Sequence, residues 1–428
     1  MTAFLLQDPS RMVRFRIRCR CVTLAIIVSQ IFLGIWFFSQ PLDPPKEFLR
    51  RLFSEGGQSI LHLIDQPVSS YYSIFGKDMC VKEGTVIEQS SEGNCVCRDG
   101  WIGQRCGVPE VIHKTDWMVN RELTQKLQLK KRVRRIILVT PFCYEFDIFE
   151  TNVHELHELV DVYVIGETNY TLADIQNSLP LLDKLKNGWL RDYQNKIIYV
   201  PINEKDLKTD TLIQKLFNTG LRLVSDVRPD DLLILTTGEE ILNRDVVTFL
   251  KLFKGYPLPV KCQFKHYLYG FYWHVLERSF NNATSQVCAV SFQFLANAFE
   301  YQVSRLQAGS ILEDDLNFFT ANEQSVAEWT ISEAGWKCHL CLSVQNIFEK
   351  FLNYPQSLRP KWFSEYSSSM LPFIQRLIRF GQDENLNPVG NSELPQQENL
   401  PAYLSNHKES FMYLMKNPYE TVSIHNLV

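Results

Sequence analysis

The chain has 428 residues, of which 45% are hydrophobic and 12% aromatic, and this composition indicates about two or three domains with a sizeable core. The formal net charge is −4, and no basic stripe with interleaved aromatic residues occurs in the body of the sequence. Both features argue against a nucleic acid as the partner. We therefore expect a large folded protein that recognises some other class of ligand.

The N-terminus has the pattern of a membrane anchor. Five arginines between residues 11 and 20 precede an uncharged stretch, residues 21–38, which is just long enough to cross a thin bilayer as a helix. The positive-inside rule then places residues 1–20 in the cytosol and the rest of the chain in the lumen, as a single-pass type II protein. A cleaved signal peptide is the alternative, but the following sequence, WFFSQPLDPP, has no small-residue cleavage pattern and favours the anchor.

A lumenal body agrees with two further features of the sequence. Asn169 and Asn282 each begin an Asn-x-Thr sequence and are predicted sites of N-glycosylation. Nine cysteines follow the predicted anchor, so in an oxidising compartment at least one is left unpaired or pairs between chains. Residues 39–79 contain several prolines and are predicted to form a stem.

Residues 80–109 contain four cysteines, and CVCRDGWIGQRC (residues 95–106) resembles the C-terminal half of an EGF-like module. The resemblance implies the disulfides Cys80–Cys95 and Cys97–Cys106. A zinc site is the alternative, which the lumenal context and the cysteine spacing disfavour.

Alternating β and α patterns follow a basic segment, residues 130–135, that we interpret as a linker. They predict a mostly parallel sheet with helices on both faces, in a domain over residues 130–420. No GxGxxG or GxxxxGK[ST] sequence follows a predicted strand, which excludes the common dinucleotide and P-loop sites. The predicted strands are residues 136–139, 161–166, 196–202, 232–236 and 259–269, and the predicted helices are residues 149–160, 212–223, 243–253, 344–352, 371–380 and 410–415.

The most informative segment is RPDDLLILTTGEEI, residues 228–241. Its apolar run, Leu232 to Leu235, is short and bounded by polar residues, which is typical of a buried parallel strand. Ligands bind beyond the carboxyl ends of strands in open α/β sheets, so Glu239 and Glu240 are placed to hold a metal ion, a sugar hydroxyl or a proton. The alternative is a solvated turn.

Seven segments, in order along the chain, resemble glycosyltransferase family 17. The resemblance implies an α/β, GT-A-like nucleotide-sugar-binding fold, preceded by the EGF-like module and the transmembrane helix, in the Golgi membrane. It also implies an inverting transfer of GlcNAc from UDP-GlcNAc to the core β-mannose of N-glycans on glycoproteins, in the bisecting β-1,4 linkage. The segments, which span most of residues 80–420, are EFDIFETNVHEL (145–156), VDVYVIGETNYT (160–171), RPDDLLILTTGEEI (228–241), KHYLYGFYW (265–273), AGWKCHLC (334–341), IRFG (378–381) and NPY (417–419).

One departure from the family pattern concerns the metal. Where the family has Asp-x-Asp, this chain has Thr237, Gly238 and Glu239. A Mn²⁺ or Mg²⁺ ion would neutralise the diphosphate as UDP leaves, and a threonine hydroxyl is a poorer ligand for it than a carboxylate. Glu239 remains as the candidate metal ligand. This departure predicts one of two outcomes. The protein uses the metal ion weakly or in an altered way, or it is a non-catalytic member of the family that binds glycans or protein partners.

The resemblance also implies roles for other residues. Glu239 and Glu240 are expected to be the catalytic carboxylates. Glu145, Asp147 and Glu167 follow predicted strands and are expected to contact the donor nucleotide, although capping of the next helix explains Glu145 and Asp147 equally well. Arg379 is expected to face the diphosphate, the alternative being a solvated helix face.

Four further groups of residues leave alternatives open. Trp273 and Trp336 are candidates for stacking on sugar rings or for core packing. The general base is not identified, and the acidic cluster Glu313, Asp314 and Asp315 is more simply a solvated loop. Cys338 and Cys341 favour a structural disulfide or packed thiols over a redox or zinc site, and His339 between them is more often structural than a base.

Overall fold

The computed structural model describes residues 60–119, 124–168, 179–202, 209–275, 286–307, 329–353, 359–364, 370–392 and 400–420. The predicted cytosolic tail, the anchor, Asn169, Asn282 and the acidic residues 313–315 lie outside these ranges. Within them, no helix has both the length and the apolar character needed to cross a membrane.

Strands and short α-helices alternate along the described part of the chain. The strands are β1 (Leu61–His62), β2 (Tyr72–Phe75), β3 (Asp78–Val81), β4 (Trp101–Ile102), β5 (Val108–Pro109), β6 (Gln128–Leu129), β7 (Ile136–Phe142), β8 (Val162–Thr168), β9 (Ile197–Ile202), β10 (Val224–Ser225), β11 (Leu232–Leu235), β12 (Glu240–Leu242), β13 (Phe253–Lys254), β14 (Val260–Cys262), β15 (Lys265–Leu268), β16 (Gly270–Val275), β17 (Gln286–Ser291), β18 (Trp329–Ile331), β19 (Gly335–His339) and β20 (Gly390–Ser392). The helices are α1 (Glu110–His113), α2 (Asp116–Val119), α3 (Phe146–Leu156), α4 (Pro180–Lys186), α5 (Thr209–Leu221), α6 (Arg244–Leu252), α7 (Phe292–Phe299), α8 (Val303–Gln307), α9 (Val344–Asn353), α10 (Met370–Phe380), α11 (Ala402–Asn406) and α12 (Met412–Met415).

The central sheet has seven strands in the order β18-β14-β17-β11-β7-β8-β9. Strands β11, β7, β8 and β9 run parallel to one another, and β17 is antiparallel to both β11 and β14. The prediction of a mixed α/β fold with a mostly parallel sheet is therefore confirmed.

Alternation along β7 explains why this sheet is covered on both faces. Ile136 and Leu138 belong to one core cluster, which includes residues of helices α3 and α6. Ile137 and Val139 point the other way, into a second cluster with residues of α5 and α7. A strand buried on both faces is apolar throughout, which is why β7 and β11 were recognisable from the sequence.

The segment predicted as one strand, residues 259–269, is two strands in two different sheets. β14 belongs to the central sheet, where Cys262 is bonded to Cys288 of β17. β15 belongs to a second, five-stranded sheet in the order β12-β19-β15-β16-β20. An apolar run reports burial, but not which sheet buries it, so the prediction of a single strand is wrong here.

The basic segment at residues 130–135 is not a solvated linker. Arg134 and Arg135 are both buried, at 7% and 4% exposure. Arg135 forms an ion pair with Asp231, its Nη2 lying 2.7 Å from Oδ2, and Arg228 also contacts Asp231 at 2.9 Å. These contacts join the amino ends of β7 and β11, so the segment is part of the domain.

The N-terminal region packs against the main domain. Strand β1, within the predicted stem, pairs with β10, and the hairpin of β2 and β3 crosses the predicted boundary at residue 79. Cys80 is bonded to Cys95 and Cys97 to Cys106, the pairs that the EGF-like resemblance implies. Cys338 is bonded to Cys341, and Cys143 is the one free cysteine in the described ranges.

Candidate active site

The carboxyl ends of β7 and β11 bring two acidic side chains together. Glu145 follows β7, and Glu239 follows β11, its parallel neighbour. Gly238 has a φ of +96°, and a Cβ atom on it would lie 2.7 Å from the carbonyl oxygen of Pro141. Only glycine accepts both the left-handed backbone and this close approach. The Thr-Gly-Glu turn therefore lies against the end of β7.

A buried lysine bridges the two carboxylates. Nζ of Lys350, on α9, donates to Oε1 of Glu145 and, at 2.9 Å, to Oε1 of Glu239. Lys350 is only 3% exposed. Burial raises the pKa of Glu145, with the lysine opposing the shift. A buried ammonium group needs such partners, because an uncompensated charge at this depth is costly.

His339 joins Glu239 to a third carboxylate. Its Nδ1 lies 2.8 Å from Oε1 of Glu239, and its Nε2 lies 2.9 Å from Oε1 of Glu384. Burial alone would lower the pKa of His339, but the two carboxylates, Glu239 foremost, raise it to about 9. Burial would likewise raise the pKa of Glu239, yet His339 and Lys350 hold it well below its usual value. At neutral pH the imidazole is therefore a cation that donates from both nitrogens. We call Glu145, Glu239, His339, Lys350 and Glu384 the site cluster.

Glu240 lies beneath the site cluster. Its side chain has no exposed surface and accepts hydrogen bonds from the backbone N–H and the hydroxyl of Thr237. It also accepts from Nζ of Lys337 at 2.9 Å. Burial would raise the pKa of Glu240, but Lys337 outweighs it and the pKa is lowered. The side chain of Glu240, predicted to be a catalytic carboxylate, thus has no exposed surface in this structure, where it holds the Thr-Gly-Glu turn.

These contacts do not fit a divalent cation at the position that the family resemblance implies. The hydroxyl of Thr237 is already donated to Glu240, and both oxygens of Glu239 accept from cationic side chains. An added Mn²⁺ or Mg²⁺ would lie beside two positive charges, each repelling it by about 4 kcal/mol per unit charge at 4 Å. Across the described ranges, no group of three or more His, Cys, Asp or Glu residues is arranged to hold a metal ion.

Strand β19 presents different residues on its two faces. Lys337 and His339 share the face toward Glu240 and Glu239, whereas Trp336 points to the other face, where it packs against a core cluster that includes Ile241. Trp336 thus lies away from the site cluster, not beside it. The Cys338–Cys341 disulfide closes the turn that follows His339.

The other predicted site residues make contacts that hold elements together. Glu167 accepts from the backbone N–H of Leu181 at 2.7 Å and from the Tyr199 hydroxyl at 2.8 Å, so it caps α4. Asp147 accepts from the Tyr413 hydroxyl. The structure does not bring either residue into the site cluster.

Trp273 and Arg379 both lie at the end of α10. The indole N–H of Trp273 donates to the carbonyl of Ile378 at 2.8 Å, and its ring covers Gly381. The guanidinium group of Arg379 lies 5.4 Å from the ring centre of Phe380. For Trp273 these contacts favour the packing alternative over stacking on a sugar.

Sequence reasoning missed Lys350, Lys337 and Glu384 and gave little weight to His339. One signal was available for Lys350, because it lies beside Ile347 and Phe351 on the apolar side of α9. A lysine on the apolar face of a helix needs a buried partner. Glu384 follows the IRFG segment closely, but the sequence alone does not show what it faces.

Together, the mostly parallel sheet and the charged cluster at the carboxyl ends of its strands define an α/β protein whose candidate ligand site lies at the edge where such folds usually bind ligands. Residues 108–305 match the model of Glycosyltransferase family 17, the family that the seven sequence segments resemble. The match includes Glu145 and Glu239, while His339, Lys350 and Glu384 lie beyond its end.

Similar proteins include the β-1,4-mannosyl-glycoprotein 4-β-N-acetylglucosaminyltransferases of Rattus norvegicus and Homo sapiens. Each is 27% identical to this chain, over 341 and 343 residues respectively, covering 76% of this chain. The chain spans 62% of the length of these relatives. A crystal structure of S. aureus TarS also aligns with this chain, and the alignment covers 68% of this chain and 44% of the TarS chain. The sequence identity is 11% and the TM-score is 0.27, so this similarity is too distant to bear on the fold.

Proposed function

We propose that this chain transfers GlcNAc from UDP-GlcNAc to a mannose of N-glycans on glycoproteins, with β-1,4 bisecting linkage to the core mannose and inversion at the sugar. The observation that carries the proposal is the site cluster, at the carboxyl ends of two parallel strands in a domain that matches family 17. The names of the relatives support the choice of GlcNAc and of a mannose acceptor.

The chemistry requires a base and a means of stabilising the leaving group. The acceptor oxygen forms a bond to C1 of the sugar as the bond from C1 to the diphosphate oxygen breaks, and the hydroxyl proton passes to the base. The side chain of Glu384 is 33% exposed, against 12% for Glu239 and 5% for Glu145. We assign the base to Glu384 because it is the carboxylate of the site cluster that an acceptor reaches most easily.

A transfer assay tests the proposal. Purified protein is incubated with UDP-GlcNAc and a biantennary N-glycan, with and without Mn²⁺, and the mass of the glycan is measured by mass spectrometry. We expect a gain of one N-acetylhexosamine, and digestion with linkage-specific glycosidases identifies the bond. No gain under either condition, with a protein shown to be folded, contradicts the proposal.

The second candidate is a family member that binds glycans or partners without catalysis. The observation that favours it is the Thr237-Gly238-Glu239 sequence, which lacks the paired aspartates of the family pattern. Restoring them with Thr237→Asp and Glu239→Asp separates the two. A large gain from near zero indicates a lapsed enzyme, whereas loss of existing transfer shows that the present residues are the working ones.

We also propose that the protein is a single-pass type II protein of the Golgi membrane with its catalytic domain in the lumen. The arginine-flanked apolar stretch at residues 21–38 and the four disulfides of the described ranges support this placement. A protease-protection assay on sealed microsomes tests it, with epitope tags at both ends. Digestion of the C-terminal tag before the membrane is permeabilised contradicts the orientation.

A further inference from the structure

We propose, on the basis of the function above, that this chain supplies its own positive charge at the donor diphosphate through Lys337, His339 and Lys350. The transfer then requires no divalent cation. The way in which the leaving group is stabilised can be tested independently of the identity of the acceptor.

Lys350 occupies the place of a bridging cation. Its Nζ contacts both Glu145, which follows β7, and Glu239, which follows β11. A divalent ion bound by carboxylates from two neighbouring strands would bridge them in the same way. The ammonium group of Lys350 therefore lies between these two carboxylates, where a bound metal ion would otherwise balance their charge.

The charges match those of a metal site. Lys350 and His339 together bring two positive charges to Glu145, Glu239 and Glu384, as one Mn²⁺ or Mg²⁺ ion would. Lys337 adds a third positive charge, which Glu240 balances. Fixed cations of this kind stabilise charge that develops on a leaving group without reorganising during the reaction.

Lys337 and His339 are the members of this set that a ligand can reach. Their side chains are 24% and 29% exposed, whereas that of Lys350 is 4% exposed. They stand two residues apart on one face of β19, about 7 Å along the strand, which suits the two phosphates of UDP.

The two residues act differently. An ammonium group has three N–H donors, and Lys337 gives one to Glu240, so it can donate directly to a phosphate oxygen. Both N–H groups of His339 are taken by Glu239 and Glu384, so it contributes through its charge. Lys350 is a positioning residue, since it donates to Oε1 of Glu239, the oxygen that His339 also contacts.

The first experiment removes metal ions. The protein is dialysed against EDTA, and its affinity for UDP is measured by isothermal titration calorimetry, together with the rate of GlcNAc transfer. We expect both values to change by less than about twofold when Mn²⁺ or Mg²⁺ is restored. Transfer that disappears with EDTA and returns with Mn²⁺ overturns the inference but leaves the proposed function intact.

The second experiment removes one charge. Lys337→Met is expected to weaken UDP binding by tenfold or more and to reduce its dependence on salt, while Lys337→Arg keeps most of the affinity. Lys265→Met is the matched control, because Lys265 pairs with Trp336 on the other face of the sheet, and its Nζ lies 3.6 Å from Glu333. Equal losses in Lys337→Met and Lys265→Met contradict the assignment.

The outcomes separate this inference from the function on which it rests. If no UDP-sugar binds with or without metal ions, the proposed function fails. If UDP binds and transfer occurs but Lys337→Met has no effect, only the assignment of the diphosphate to β19 fails. Circular dichroism spectra of each variant confirm that a loss is not caused by unfolding.

Discussion

Strands β7 and β11 carry a cluster of charged residues at each end, and the two clusters differ in balance and exposure. At the amino ends, Arg135 and Arg228 are matched by Asp231 and Asp65, and Asp231 has no exposed side-chain surface. At the carboxyl ends, the three carboxylates of the site cluster meet two cations, and Glu384 and His339 are about one third exposed. Ion pairing alone therefore does not distinguish a structural cluster from a candidate active site.

The difference shows what to look for at a candidate site. In the amino-end cluster the two cations, Arg135 and Arg228, are at most 12% exposed, while the carboxylate of Asp65 is 43% exposed. In the carboxyl-end cluster a cation, His339, is 29% exposed, at the edge where α/β sheets bind ligands. Substitutions at the two ends should accordingly affect different properties.

The largest effect is expected at the carboxyl ends of the strands. Glu384→Gln removes the proposed base and should lower kcat by a hundredfold to about ten-thousandfold, the usual contribution of general base catalysis, with little change in UDP affinity. Asp383→Asn is the matched control on the adjacent half-buried residue, whose carboxylate accepts from the backbone N–H groups of Asn385 and Asn387. Steady-state kinetics and calorimetry on both variants make the measurement, and a Glu384→Gln enzyme with unaltered kcat would show that the base is elsewhere.

At the amino ends of the strands, Asp231→Asn should lower the stability of the fold, because Asp231 has no exposed side-chain surface. It leaves Arg135 and Arg228 without their buried partner, and breaking such a pair costs about 3 kcal/mol or more. Thermal denaturation should show a clear fall in Tm, while the kcat of the folded protein stays near the original value. A variant of unchanged stability and reduced kcat would reverse the contrast between the two ends.

Gly238→Ala tests how the turn after β11 is placed. The substitution adds about 1–2 kcal/mol of backbone strain at a φ of +96° and forces the new Cβ against Pro141, so transfer should fall by tenfold or more. Gly100→Ala is the control, since its φ is +79° but nothing lies within 4 Å of its Cβ position. If both variants lose the same activity, backbone strain and not the close approach is responsible.

A smaller effect concerns pH. The pKa of His339 is raised to about 9 from an ordinary value of 6.5, so its protonated form binds more strongly in the folded state. Its contribution to stability is complete below pH 6.5 and is lost as the pH rises through 9. Between pH 6.5 and pH 9 the Tm of the wild type should fall more steeply than the Tm of His339→Gln. If Tm depends on pH in the same way in both proteins, the ion pairs of His339 do not stabilise the fold.

The fold was easier to predict from the sequence than the site. Apolar runs predicted β7, β8, β9 and β11, and Asn243 caps α6 within the helix predicted over residues 243–253, its side chain accepting from the N–H of Asp245. These features depend on neighbouring residues. By contrast, Lys350 lies 111 residues from Glu239 and His339 lies 100 residues from it, so their meeting depends on tertiary packing.

Local chemistry also misled the assignment of the two adjacent glutamates. Glu239 and Glu240 follow the same strand and look equivalent in the sequence, but Glu240 begins β12 and its side chain is buried against Thr237 and Lys337. Only the pairing of β12 with β19 distinguishes them, because it sets Glu240 opposite Lys337 and leaves Glu239 in the turn, where it contacts His339.

A crystal structure of the protein with UDP bound would locate the donor diphosphate. We expect the diphosphate beside Lys337 and His339, at the carboxyl ends of β7 and β11. A cavity of about 730 Å³ lies elsewhere, between the disulfide module and the main domain, and its lining includes the basic residues Lys82, Arg98 and Arg244. UDP bound in that cavity, or anywhere else away from the site cluster, would contradict the account.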